Sequence, residues 1–238
     1  MLFSNTEIAD FINENFEACW QSVRKVPLVS IDLGQGNVIK RTLNGNIATY
    51  VCFSDGRIID ILPGLYEPQA YKDRLKQLCL ASKYFSKLGN EKKNFELEKY
   101  HKLQESRLRA GKTPARFIAA NKTGDGEIEF VTKYGDHDKR WLEPLKEKSA
   151  YKIKALPTGD LASWQHLLDD VRLNESEMRL KIHNYFAKAG SSSKEESPAK
   201  LAGWLYKYVL HADIEDPYLG LKTVLDGTYP FPEIKANR

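Results

Sequence analysis

The chain has 238 residues and a mass of 27.2 kDa, enough to bury a full core in one large domain or two smaller ones. Its composition, 42% hydrophobic and 29% charged, is that of a globular protein, and no apolar run approaches the roughly 20 residues that cross a bilayer. The net charge of +4 is unevenly spread: Tyr71 to Lys112 holds 12 Lys/Arg against 5 Asp/Glu, and the rest of the chain is slightly acidic.

Met1 is followed by Leu2-Phe3 and then polar residues, so no signal peptide is readable; a cytoplasmic protein is expected by default, unless the true start lies upstream. Ser4-Asn5-Thr6-Glu7 has the form of a capping box, with Ser4 as N-cap and Glu7 reaching back to it. Ile8, Phe11 and Ile12 give a short helix its apolar face, and Asn15 is a left-handed stop. Phe16 to Val23 reads as a strand with Phe16, Ala18 and Trp20 on one face, although periodicity also allows the helix to run on through Trp20. Leu28 to Leu33 and Val38 to Leu43, on either side of Gly34-Gln35-Gly36, form a hairpin. No Lys-Ser/Thr follows G-Q-G-N, so it is no phosphate loop.

The stretch Asn44 to Gly64, N-G-N-I-A-T-Y-V-C-F-S-D-G-R-I-I-D-I-L-P-G, carries the clearest signal. Ile47–Phe53 and Arg57–Leu62 are rich in β-branched and aromatic residues, and Asp55-Gly56 between them supplies the positive φ of a tight turn. Several positions are apolar on both faces, which places the hairpin inside a layered domain. After Pro63-Gly64, a helix from about Glu67 carries Tyr71, Leu75, Leu78, Phe85 and Leu88 near helical spacing.

This order of strand, turn, strand, glycine and amphipathic helix resembles the second half of the thioredoxin fold. F-I-N-E-N-F is similar to the passage that follows the active-site helix in that family, and Ile47-Ala48-Thr49 stands where the family has I-P-T. The resemblance covers roughly residues 4–88. It implies an incomplete thioredoxin-like sheet lacking the central strand that bears the catalytic motif. The Leu28–Leu43 hairpin, then the Arg116–Tyr134 strands, then direct pairing of the surviving pieces are the candidates to fill that gap. The family's catalysis needs a Cys at a helix N-terminus and a second Cys three residues on. Cys19, Cys52 and Cys79 offer no CxxC, and Ala48 replaces the family's cis-Pro, so the redox site is degenerate. Three ordinary thiols titrating near the unperturbed value of about 8.5 are expected.

Beyond Gly89-Asn90 a charged helix runs from Glu91 to about Ala110 through Leu97, Tyr100, Leu103 and Leu108, ended by Gly111 and Pro114. Arg116–Asn121 and Glu127–Tyr134 read as a hairpin. The same stretch sets Asp125, Gly126 and Ile128 as in a calcium-binding EF-hand loop, but Asn121 opens it and Thr132 closes it where Asp and Glu belong. Gly135–Gly159 is polar and without period. Asp160 caps a helix with Leu161, Trp164, Leu168 and Val171, and Asn174 caps another with Met178, Ile182 and Phe186. Gly190–Glu196 is a linker, and Pro198 opens a last helix with Leu201, Leu205, Tyr208 and Val209.

The expected fold class is therefore α/β: an incomplete thioredoxin-like sheet with β-hairpins, followed by a mainly α-helical C-terminal region. By composition the chain divides into residues 1–88, thioredoxin-like, 89–159, charged helix and hairpin, and 160–238, helical. His166 with Asp170, four apart on a helix, and the cluster His211, Asp213, Glu215 and Asp216 are the nearest approaches to metal ligands, and neither matches a zinc or metalloprotease pattern. No catalytic, cofactor-binding or metal residue is assigned, and no cofactor is expected. The expected function is a non-catalytic thioredoxin-like interaction or accessory protein, binding another protein through its sheet edge. The alternatives are a thiol-disulfide oxidoreductase whose active-site half lies upstream of Met1, and an anion-binding module using the basic stretch 71–112 with weak polyanion affinity.

Overall fold

A computed structural model describes residues 2–25, 28–42, 47–112, 114–119, 126–131, 169–188 and 197–220. It divides into two compact units, one formed by Met1–Trp20 with Ile47–Pro198, the other by Gln21–Asn46 with Ala199–Arg238. Helices and small antiparallel strand pairs together give an α/β class.

In the first unit helix α1 spans Thr6–Asn15. Its cap is Asn5 rather than Ser4: Asn5 Oδ1 accepts the Ile8 N–H at 3.2 Å, and Glu7 turns instead to Lys72. Asn15 is no left-handed stop. It is the last helical residue, its Nδ2 donating to the Phe11 carbonyl, and Phe16 follows in extended backbone. The expected strand Phe16–Val23 does not form among the described residues, and Trp20 is 88% exposed. An extended segment becomes a strand only against a partner, and water takes the place of one here.

Strands β3 (Ala48–Cys52) and β4 (Ile58–Pro63) form the expected hairpin, with a bulge between Val51 and Cys52. Strands β1 and β2 belong to the second unit and are described below. Asp55-Gly56 makes the turn in a different way from the tight one the sequence suggests. Only Gly56 takes a positive φ, +83°, and Asp55 acts through its carboxylate, accepting the Arg57 N–H at 3.0 Å and Nε at 2.7 Å. β4 is buried along its whole length, as a strand covered on both faces must be. Gly64, at φ +71°, then turns the chain into helix α2 (Pro68–Ser86). Pro68 sits in the first turn, and the Glu67 carboxylate caps it by accepting from Gln69 and Ala70. Tyr71, Leu75, Leu78, Ala81 and Phe85 face the core with Val51, Phe53, Ile59 and Leu62.

Helix α3 spans Asn90–Arg109, one residue from the expected limits. Strands β5 (Arg116–Ala119) and β6 (Ile128–Val131) pair antiparallel, with Phe117 stacked on Phe130 at 4.7 Å. The calcium-like loop lies almost wholly outside the described residues. Residues 169–188 are one continuous helix containing a π-helical stretch, Asn174–Met178, before helix α4 (Arg179–Lys188). Asn174 is thus no cap. Its side chain is buried and donates to the Leu65 carbonyl at 2.7 Å. α4 packs along α3 and against β4.

In the second unit, β1 (Leu28–Asp32) and β2 (Val38–Thr42) form the expected hairpin, closed where Asp32 Oδ1 accepts the Gly34 N–H at 2.8 Å. Helix α5 (Pro198–Trp204) opens on proline as expected and runs into a π-helical turn, Leu205–Val209. Leu201, Leu205 and Val209 are buried, whereas Tyr208 is more than half exposed, because the wider π turn rotates it off that face. Arg24 ties this unit's two segments together, donating to the carbonyls of Ile214, Asp216 and Pro217.

The described strands form three separate two-stranded sheets. Within the first unit β5–β6 does not join β3–β4 among the described residues, so it does not fill the gap expected in a thioredoxin-like sheet.

Candidate functional site

β4 reads I-I-D-I-L-P, and its one polar residue, Asp60, has no solvent exposure. A buried carboxylate must be hydrogen-bonded and charge-matched or give up its charge. Asp60 keeps it. Oδ1 accepts the Ile61 N–H at 2.8 Å; Oδ2 accepts the Tyr100 hydroxyl of α3 at 2.7 Å and Nη2 of Arg179, from α4, at 2.9 Å. Arg179 reaches on from there. Its Nη2 lies 3.1 Å from His183 Nε2, one helical turn along α4, and His183 Nδ1 lies 2.9 Å from His101 Nδ1 on α3. None of these five side chains is more than 3% exposed. Phe186 stacks on His101 with ring centroids 4.7 Å apart, closing the far side. Beside the cluster, Arg74 of α2 grips Glu175 in a two-pronged pair, and Tyr66 faces the same carboxylate.

The protonation states follow from this packing. Burial works against the charge of Asp60, but the Arg179 guanidinium above all, with the Tyr100 hydroxyl donating to the same carboxylate, holds the carboxyl well below its usual range. Burial also works against Arg179, which Asp60 and Glu175 keep protonated. Both imidazoles are held neutral, chiefly by burial: His101 is pulled down to about 4 and His183 well below its ordinary value. Burial pushes the Tyr100 hydroxyl up, and Asp60 adds to it. The cluster therefore contains two matched ion pairs and neutral rings, with no net charge.

Asp60, His101 and His183 offer one donor atom each within 4.8 Å of one another, the raw material of a divalent cation site. The residues do not fit one. A guanidinium already holds Asp60 Oδ2 and His183 Nε2, two of the candidate donor atoms. A dication would add two positive charges to a neutral, dry interior. Nor does any of the five present a reacting atom to solvent. Their arrangement joins β4, α3 and α4; it does not receive a substrate.

The three cysteines singled out in the sequence form no pair. Cys19 is exposed, and all three cysteines are free thiols. Cys52 and Cys79 do not titrate near 8.5 as expected. Burial pushes both up to about 11, further from a reactive thiolate. His166 lies outside the described residues, and Asp170 is exposed on its helix. The carboxylates after His211 serve turns: Asp213 pairs with Lys207 at 2.8 Å and accepts the Glu215 N–H, while Asp216 accepts from Tyr218 and Gly220. In the basic stretch, Lys72, Arg74, Lys76, Lys99, Lys102 and Arg109 each meet a carboxylate, so at least half of its twelve cations are locally compensated. An open cleft of about 470 Å³ is lined by Tyr84, Ile118, Ile128 and Phe130, with Glu96, Lys99, Glu127 and Glu129 among them.

Asp60, His101, Arg179 and His183 were not singled out in the sequence, and Tyr100 was named only as part of an apolar stripe. Two signals point to them: an Asp inside an otherwise apolar strand, and Arg and His four apart on one helix face. No protein-family model matches the chain, and no curated protein or solved structure matches it either. No helix among the described residues is long and apolar enough to cross a membrane.

Proposed function

We propose that the chain is a non-catalytic interaction or accessory protein that uses a thioredoxin-like hairpin and helix, residues 47–86, as a platform for binding rather than for thiol exchange. The observation that carries this reading is the state of the described groups able to do chemistry, apart from the exposed Cys19, which has no second cysteine three residues away. The acid, the two imidazoles and the guanidinium of the polar cluster are sealed from solvent. The Cys52 and Cys79 thiols are pushed up to about 11, leaving a negligible thiolate fraction near neutral pH. What the surface does offer is an open cleft in which the aromatic and aliphatic side chains of Tyr84, Ile118, Ile128 and Phe130 stand among the charged ones of Glu96, Lys99, Glu127 and Glu129, a mixed surface suited to the side chains of another protein.

The test is reduction of insulin by dithiothreitol with and without the full-length chain, alongside disulfide exchange with an aromatic disulfide reagent. No acceleration above background is expected, and the two half-buried thiols should react slowly. Turnover that disappears on Cys52→Ser or Cys79→Ser would overturn the reading and favour a thiol-disulfide oxidoreductase.

A further inference from the structure

We infer that the buried histidine pair makes the docking of α4 onto β4 and α3 a pH-sensitive latch, closed while both imidazoles are neutral and released in mild acid. The hydrogen-bond chain that holds it has a single direction. Arg179 has no acceptor atom, so its Nη2, 3.1 Å from His183 Nε2, donates, and that nitrogen must keep its lone pair. His183 therefore carries its proton on Nδ1, 2.9 Å from His101 Nδ1, which must accept. The proton of His101 then sits on Nε2, a buried nitrogen that completes no hydrogen bond, with the Ile59 backbone close to the ring. Adding a proton to either ring sets two N–H groups against each other. Imidazolium at His183 confronts Arg179; imidazolium at His101 confronts the Nδ1–H of His183.

The surroundings do not relieve that conflict. From β4, Asp60 favours a positive ring, but its outer oxygen is already held by Tyr100 of α3 and Arg179 of α4. From α2, Arg74 opposes the charge, and Glu175 of the π-helical stretch is committed to Arg74. Phe186 covers the His101 ring and excludes water. The rings gain protons most readily by leaving. Once α4 separates, both face solvent, where imidazole titrates at about 6.5. The opening equilibrium then rises up to about tenfold per pH unit for each histidine below that value, and up to about a hundredfold for the two together.

Hydrogen exchange of the full chain, read by mass spectrometry from about pH 7.5 to about pH 4.5 and corrected for intrinsic rates, tests this. Opening of residues 179–188 should grow by between about tenfold and a hundredfold per pH unit below about 6.5, while α2 stays protected. Flat protection of 179–188, or loss of α2 and α4 in one step, overturns the latch. Nitrogen-15 NMR of the imidazoles gives an independent reading. Nδ1–H on His183 and Nε2–H on His101 are expected, and the opposite tautomers, or a ring titrating near 6.5 with α4 still protected, contradict it. In His101→Asn and His183→Gln the pH dependence should flatten; a steep dependence surviving in both contradicts the latch. If neither variant folds, the wild-type exchange and tautomers decide alone.

Discussion

Asp60 and Arg179 form an ion pair with almost no access to water, and such a pair contributes little net stability over an apolar replacement while being costly to break on one side. Arg179→Met, which leaves Asp60 buried and unmatched, should cost about 3–5 kcal/mol in urea unfolding at neutral pH. Asp60→Asn combined with Arg179→Met should cost clearly less than the sum of the two single changes, and strict additivity would contradict the pairing. The histidines add a pH dependence whose sign is fixed. His101 binds its proton less readily in the folded state, at about 4 against the ordinary 6.5, so the unfolded chain binds more protons in between. Its stabilisation is complete above about pH 6.5 and declines as pH falls toward 4, a loss of about 3 kcal/mol over that window. His183 and Asp60, both shifted down, act in the same direction, with Asp60 lost only at lower pH.

Local elements were the most legible part of the sequence. The three hairpins, the helix after Gly64 and the limits of α3 follow from β-branched runs, turn residues and 3.6-residue spacing. What spacing did not convey was which face of α3 would be covered. Leu97, Tyr100, Leu103 and Leu108 suggested an apolar stripe, yet of these only Tyr100 is buried, together with His101 and Gln104: Tyr100 and His101 meet polar groups of β4 and α4, and Gln104 pairs with the Ala115 backbone. The strand expected at Phe16–Val23 failed for a related reason: period-2 alternation describes a strand but cannot supply its partner. Two glycines separate conformational from steric requirements. At Gly56 an added Cβ meets nothing within 4 Å, so Gly56→Ala suffers only the positive φ, about 1 kcal/mol. At Gly64 the Cβ would lie 2.7 Å from the buried Asn174 side chain, which holds the Leu65 carbonyl. Gly64→Ala should therefore cost at least about twice as much in the same urea assay, and equal costs would contradict the close approach.

At the scale of the whole chain, the α/β class was readable, and the sealed cluster was not. Its members come from residues 60, 100–101 and 179–183, and only tertiary packing brings such distant positions together. The two compact units each combine segments far apart in sequence, Gln21–Asn46 with Ala199–Arg238 for example, which no composition boundary could suggest. The absence of a CxxC was plain from the sequence; the further claim of the proposed function, that no open acid–base constellation among the described residues replaces it, rests on the cluster being closed. Modification of the native full-length chain by diethyl pyrocarbonate, mapped histidine by histidine with mass spectrometry, tests that claim most directly. His101 and His183 should stay unmodified while the exposed His211 reacts; modification of either buried histidine at a rate approaching that of His211 would show a site open to small molecules and contradict the account.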